Sequence, residues 1–190
     1  MPANITTLIR NNQIVLLAVA YALVVMAIMT RLLPHSPNVT SVTAVALFAG
    51  ALLPGRWSIA VVVGSLIVTD LIIGVHSLSW LVWVCFAAIA LASRLALRRI
   101  QPGRVIVASI GSSLFFYLVT NVGVWAEGRM YALTWAGLIE SYYMALPFFR
   151  NALLGDLLYS GILFGVYGAV VFAARRTRAN SPSGEKICQG

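Results

Sequence analysis

Long apolar runs broken by short polar turns set the plan of this chain. A bilayer-crossing helix needs about 20 mostly apolar residues, within a range of roughly 17 to 25. By that measure Gln13 to Thr30, Trp57 to Gly74, Ser79 to Leu97 and Val105 to Trp125 each read as a span. Ser41 to Pro54 is shorter and rich in small residues, and reads as a second helix that crosses if it tilts little or is shielded by its neighbours. Pro147 opens the sixth helix, which continues to about Ala174, because the missing proline N–H is harmless in a first helical turn. Tyr131 to Met144 is mixed in polarity and is expected to lie along the outer interface. The expected division is an N-terminal segment over 1–12, a six-helix transmembrane domain over 13–174, and a polar, disordered tail over 175–190.

Composition makes the solvent of this fold plain. The chain is 61% hydrophobic and only 9% charged, whereas a soluble domain carries roughly a quarter charged residues. An all-α integral membrane protein follows. Its first apolar run is too long for the 7-to-15-residue core of a signal peptide, roughly speaking, and no A-x-A site follows it, so it stays a helix.

Charge sets the orientation. Arg10, Arg56, Arg94, Arg98, Arg99, Arg104, Arg175, Arg176, Arg178 and Lys186 fall in the N-terminus, the second and fourth connections and the tail. The opposite connections hold Arg31 and Arg129, with Arg150 near the last helix. With six spans, the positive-inside rule puts both termini in the cytoplasm. The basic residues sit in turns and a tail rather than on one soluble face, so anionic headgroups rather than nucleic acid explain them.

Orientation then gives depth. Asp70, Cys85, Asn121, Arg150, Asn151 and Asp156 come from four helices to one outer layer. Ionisable groups at such depth usually face a bundle interior and mark a substrate path. Ser113, Tyr117, Asn121 and Trp125 repeat at i, i+4 on the fifth helix, a stripe that serves either helix packing or pocket lining. Asp70 or Asp156 neutralises Arg150, or Arg150 itself holds a carboxylate, phosphate or amide oxygen of a ligand. Cys85 reads either as a small buried hydrophobe or as a thiolate ligand to a soft metal centre. In the outer LPHSPN loop, Pro34 and Pro37 either merely flank His35 or stiffen a lid that presents His35 and Asn38 to substrate; His76 reads as an ordinary loop residue. Cys188 lies in the tail, far from Cys85, so no disulfide joins them. Ala18 and Ala22 form a small-xxx-small pair suited to close helix approach. No P-loop, GxSxG, HExxH or CxxC pattern occurs, so energy for pumping must come from elsewhere.

Over Arg31 to Gly168, the stretches RLLPHSPNVTSVTAVALFAGALLPGRW, VTDLIIGVHSL, FYLVTNVGVWAEG and LPFFRNALLGDLLYSGILFG resemble the S-components of energy-coupling-factor vitamin transporters, and within them the solitary cobalamin type. The resemblance implies a six-helix bundle in a bacterial inner membrane with an outward-opening vitamin pocket. It implies contact between Ala18 and Ala22 and an energy-coupling ATPase module. It also implies cobalamin as ligand, with Cys85 as thiolate to cobalt and decyanation as a secondary activity. His35, Asn38, Asp70, Tyr117, Asn121, Trp125, Arg150 and Asn151 would then surround the corrin, with no intrinsic cofactor. The rivals are a structural or assembly membrane protein whose polar layer is interhelical glue, and a proton-coupled solute carrier using Asp70 and Asp156.

Overall fold

The computed structural model describes residues 12–33 and 38–179, and every regular element among them is helical. The helices are α1 (Gln13–Leu32), α2 (Val42–Leu52), α3 (Gly55–Ile73), α4 (Ser79–Ala96), α5 (Pro102–Ala126) and α6 (Trp135–Ala179). All but α2 are long and apolar enough to cross a membrane, so this is a membrane protein.

Local chemistry explains the boundaries. Asn12 caps α1 by accepting from the amides of Ile14 and Val15 at 3.1 and 3.4 Å. Pro102 occupies the opening of α5, where its absent N–H costs nothing. Gly74 ends α3 at φ 119°, a conformation that side chains other than glycine's avoid. Thr134 begins α6, its hydroxyl accepting from the Gly137 amide at 3.1 Å.

Helix α6 corrects the expected start at Pro147. It is continuous from Trp135, and Pro147 lies inside it. A proline inside a helix removes one hydrogen bond, but packed neighbours make that tolerable in a transmembrane bundle. Here the preceding turn is fastened to α5: the Tyr117 hydroxyl donates to the Tyr142 carbonyl at 2.7 Å, and the Tyr142 hydroxyl donates to the Leu118 carbonyl at 2.8 Å. At its other end α6 runs past Ala174 to Ala179, so the first residues of the expected tail are helical.

The short helix α2 is the core. Every residue of it except Ala51 is buried, as expected of a helix that is apolar all round. Its alanines and Gly50 let α4 come close: a Cβ on Gly50 would overlap the Ala90 carbonyl oxygen. Ser93 of α4 donates to the Leu47 carbonyl at 2.5 Å, and Phe48 meets the Phe164 ring edge-on at 5.2 Å.

Helix directions follow from cross-links. Arg31 and Asp70 join the C-terminal ends of α1 and α3, so these two run the same way and the segment holding α2 carries the chain back between them. Trp83 near the start of α4 bonds Asp70 near the end of α3, and Ser109–Ser160 and Ser113–Asp156 pair α5 with α6 in opposite directions. Gln13 and Ala179 therefore lie at one end of the bundle, together with Arg56, Arg94, Arg98, Arg99, Arg104 and Arg176. The other end is poor in arginine.

Candidate functional site

At the arginine-poor end α1 and α3 finish side by side, which brings Arg31 to Asp70. The Arg31 Nη2 donates to Asp70 Oδ1 at 2.7 Å, and the indole of Trp83 donates to Asp70 Oδ2 at 2.7 Å. Both carboxylate oxygens are thus engaged, on a residue that is 4% exposed. The guanidinium keeps a group in reserve, because Arg31 Nη1 is buried and has no hydrogen-bond partner among the described residues. A buried donor left unpaired is costly and rare in folded proteins, which makes it a mark of an absent acceptor.

Arg31 and Asp70 stand on the wall of a cavity of about 480 Å³ that all six helices help to build. Its apolar surface joins the aromatic rings of Phe86, Phe116, Tyr117, Phe148 and Phe149 to aliphatic Val42, Leu66, Ile73 and Val82. Phe86 and Phe116 lie 4.9 Å apart, and Tyr117 and Phe149 lie 4.7 Å apart. Its polar surface comprises Asn38, Thr40, Thr43, His76, Ser113, Thr120, Asn121 and Asp156, besides the ion pair. Asp156 is 5% exposed and accepts from the Ser113 hydroxyl at 2.6 Å. Flat aromatic walls with a few fixed polar groups are the usual make-up of a small-molecule site.

The sequence-derived site divides against this geometry. Asn38, Asp70, Tyr117 and Asn121 line the cavity together. Asn38 adopts φ 64°, a left-handed conformation that asparagine tolerates better than most residues. The stripe on α5 both packs and lines: Ser113, Tyr117 and Asn121 face the cavity, while the Asn121 amide also donates to its own Tyr117 carbonyl at 2.8 Å. Trp125 is off the wall and ties the α5–α6 connection instead, donating to the Ala132 and Thr134 carbonyls at 3.0 and 3.2 Å. His35 lies outside the described residues.

Arg150 is not the partner of either aspartate. It is exposed, and the cation on Asp70 is Arg31. Helix periodicity gives the reason: α6 presents Ala145, Phe148, Phe149, Ala152 and Asp156 to the cavity, and Arg150 and Asn151 fall to the side of that stripe. Arg31 escaped notice because its position reads as the edge of an outer loop, although it lies in the last turn of α1 opposite the last turn of α3. Thr43 escaped because α2 reads as uniformly apolar.

Cys85 is buried at 1% exposure and is not among the residues that line the cavity, although Val82 and Phe86 on the same helix are. In this structure its thiol is therefore a core group. Among the described residues no three His, Cys, Asp or Glu side chains gather as metal ligands. Ala18 and Ala22 are exposed on the outer face of α1, and Ala20 and Ala27 are buried against the bundle.

Residues 10–180 match the model of a family described as a family of unknown function, DUF6580. The chain belongs to that family. The match takes in all six helices, so cavity and bundle alike are features of a DUF6580 protein. No curated protein and no solved structure matches the chain.

Proposed function

We propose that this DUF6580 protein captures a vitamin-sized organic solute from outside a bacterial inner membrane and passes it inward, in the manner its resemblance to S-components implies. The observation that carries this reading is Arg31, a residue of the cavity lining whose buried Nη1 has no partner among the described residues. A donor held in place by Asp70 and Trp83, with one N–H pair unspent, suits a ligand carboxylate, phosphate or amide oxygen. The aromatic faces then suit a flat or apolar ligand body.

Sidedness comes from charge. The cavity lies at the end away from Arg56, Arg94, Arg98, Arg99, Arg104 and Arg176, which the positive-inside rule makes the outer face, with six crossings and cytoplasmic termini. The exposed Ala18 and Ala22 leave α1 available to a coupling ATPase module.

Size argues for a ligand smaller than a complete corrinoid. A volume near 480 Å³ falls in the range of roughly 300 to 1,000 Å³ that encloses drug-sized molecules, and cobalamin is larger than that class. Thiolate ligation and decyanation of cobalamin would further require Cys85 to turn from the core to the wall, and the cavity to widen. The test is equilibrium binding by the detergent-purified protein to cyanocobalamin and to smaller acid-bearing vitamins such as biotin, pantothenate, nicotinate and pyridoxal phosphate. Saturable binding of a small acid that Arg31→Ala weakens at least tenfold supports the reading. A corrin absorption band altered on binding and lost in Cys85→Ser returns the ligand to cobalamin. Binding of none of them leaves the polar layer as interhelical glue.

A further inference from the structure

Two cavities occupy opposite ends of the α5–α6 seam. The solute cavity reaches down to Ser113 and Asp156, while a second cavity of about 720 Å³ at the arginine-rich end reaches up to Ser109 and Ser160. Between them stand two hydrogen-bonded rungs, Ser113 Oγ to Asp156 Oδ2 at 2.6 Å and Ser109 Oγ to Ser160 Oγ at 2.9 Å. The rungs are one helical turn apart, about 5 to 6 Å, and the Ser113 hydroxyl also touches the Ser109 carbonyl at 3.0 Å. All four residues are at least 95% buried. They form a polar column from one cavity to the other.

Asp156 is the ionisable member of that column, and it differs from Asp70 in kind. Asp70 holds Arg31 and Trp83; Asp156 has hydroxyl partners, Ser113 and Thr43, and no cation within salt-bridge distance among the described residues. The groups around it supply none. Helix α2 carries no charged residue, α5 faces it with Tyr117, and Arg31 of α1 is paired with Asp70 of α3 elsewhere on the cavity wall. His76 stands at the cavity wall beyond them, and the nearest charged residue on α6 itself, Arg150, is exposed. A membrane-depth carboxylate with hydroxyl company and no counter-ion is the general sign of a proton relay.

We infer that Asp156 is a proton-binding site that exchanges with water in the solute cavity, so that the charge of the cavity floor follows the pH outside. The carboxylate takes a proton from hydronium to give a carboxylic acid and water, and returns it by the reverse step. This deepens the solute-capture reading and rests on it for its purpose, because proton uptake beside the solute changes the charge that the solute meets on the cavity floor. Its test needs no solute.

Attenuated-total-reflection infrared spectra of the purified protein in lipid, perfused alternately with acidic and alkaline buffer, read the carboxylic acid C=O band directly. The expected result is a component of that band that appears in acid and vanishes in alkali, is missing from Asp156→Asn and persists in Asp70→Asn, over a background from Glu127, Glu140 and Glu185 that parent and variants share. Ser113→Ala keeps the carboxyl but removes its 2.6 Å donor, so there the band should move in frequency; this arm serves if Asp156→Asn does not fold. An acid-minus-alkali spectrum that is the same in Asp156→Asn as in the parent and unshifted in Ser113→Ala overturns the inference. Because proton exchange is read without ligand, failure to bind any vitamin would sink the capture reading and leave this result to stand by itself.

Discussion

Arg31 of α1 and Asp70 of α3, 39 positions apart, meet at 2.7 Å and fix two helices that run in the same direction. The pair locks the ends of the helices and fixes the guanidinium of a residue that lines the cavity, its other terminal nitrogen buried and without a partner among the described residues. Arg31→Ala leaves Asp70 buried with Trp83 alone. Because the Arg31 side chain is 20% exposed, the expected loss lies near the low end of the buried-pair range, about 3 kcal/mol. Thermal melts in detergent check it, and the Arg31→Ala/Asp70→Ala double variant should lose less than the sum of the single changes.

Trp83→Phe keeps the ring but removes the indole donor to Asp70 Oδ2. A hydrogen bond to a charged group contributes about 1.5 to 3 kcal/mol, and that loss should appear in the same melts. Solute affinity should fall with it, since the Asp70 carboxylate that positions the guanidinium is then held from one side only; an unchanged affinity would show that Trp83 has no part in orienting Arg31.

Cys85 should be silent to water-soluble maleimide in the folded protein, in a Cys188→Ser background, and react once the chain is denatured. Its burial at 1% exposure is the basis. Cys85→Ala removes one small buried group, costing about 1 kcal/mol, and should leave the binding of a small acid unaltered. Rapid labelling of the native protein would instead put the thiol on the cavity wall.

Gly50→Leu tests the central crossing. Even a Cβ at Gly50 overlaps the Ala90 carbonyl, and backbone atoms cannot step aside as a side chain can, so the larger residue should cost about 3 kcal/mol or more. The variant should express poorly or melt early, and Ala51→Leu, next to it on the less buried face, should be milder.

Reporter fusions at the C-terminus check sidedness. A cytoplasmic reporter should be active and a periplasmic one inactive, as the arginine asymmetry requires. The opposite result would place the cavity on the inner face and reverse the direction of capture.

Hydropathy made the bundle readable because every apolar run but that of α2 is long and the breaks are short; the starts of α4 and α1 fall where the pattern puts them. Pro147 misled because a rule learned from helices in water discounts the support that neighbours such as Tyr117 give to a membrane helix. The polar layer was visible as a depth, and three of its six residues, Asp70, Asn121 and Asp156, do line the cavity. What sequence spacing does not hold is azimuth. Arg150 and Phe149 are neighbours in the chain, yet one turns outward and the other inward, and only packing against α5 decides between them. Six spans already make α1 and α3 parallel; that they are neighbours, so that Arg31 meets Asp70, is decided by packing.

The short segment between α1 and α3 sets an order of assembly. At 11 residues, α2 is about 16 Å long, roughly half the thickness of a bilayer core, so lipid alone gives it no stable resting place. A translocon reading the nascent chain meets one segment that qualifies and then one that does not. Everything downstream must acquire its direction while α2 waits for α3, α4 and α6 to close around it. Lesions in those later helices should therefore appear first as chains inserted the wrong way up, cleared by proteolysis before any question of binding arises.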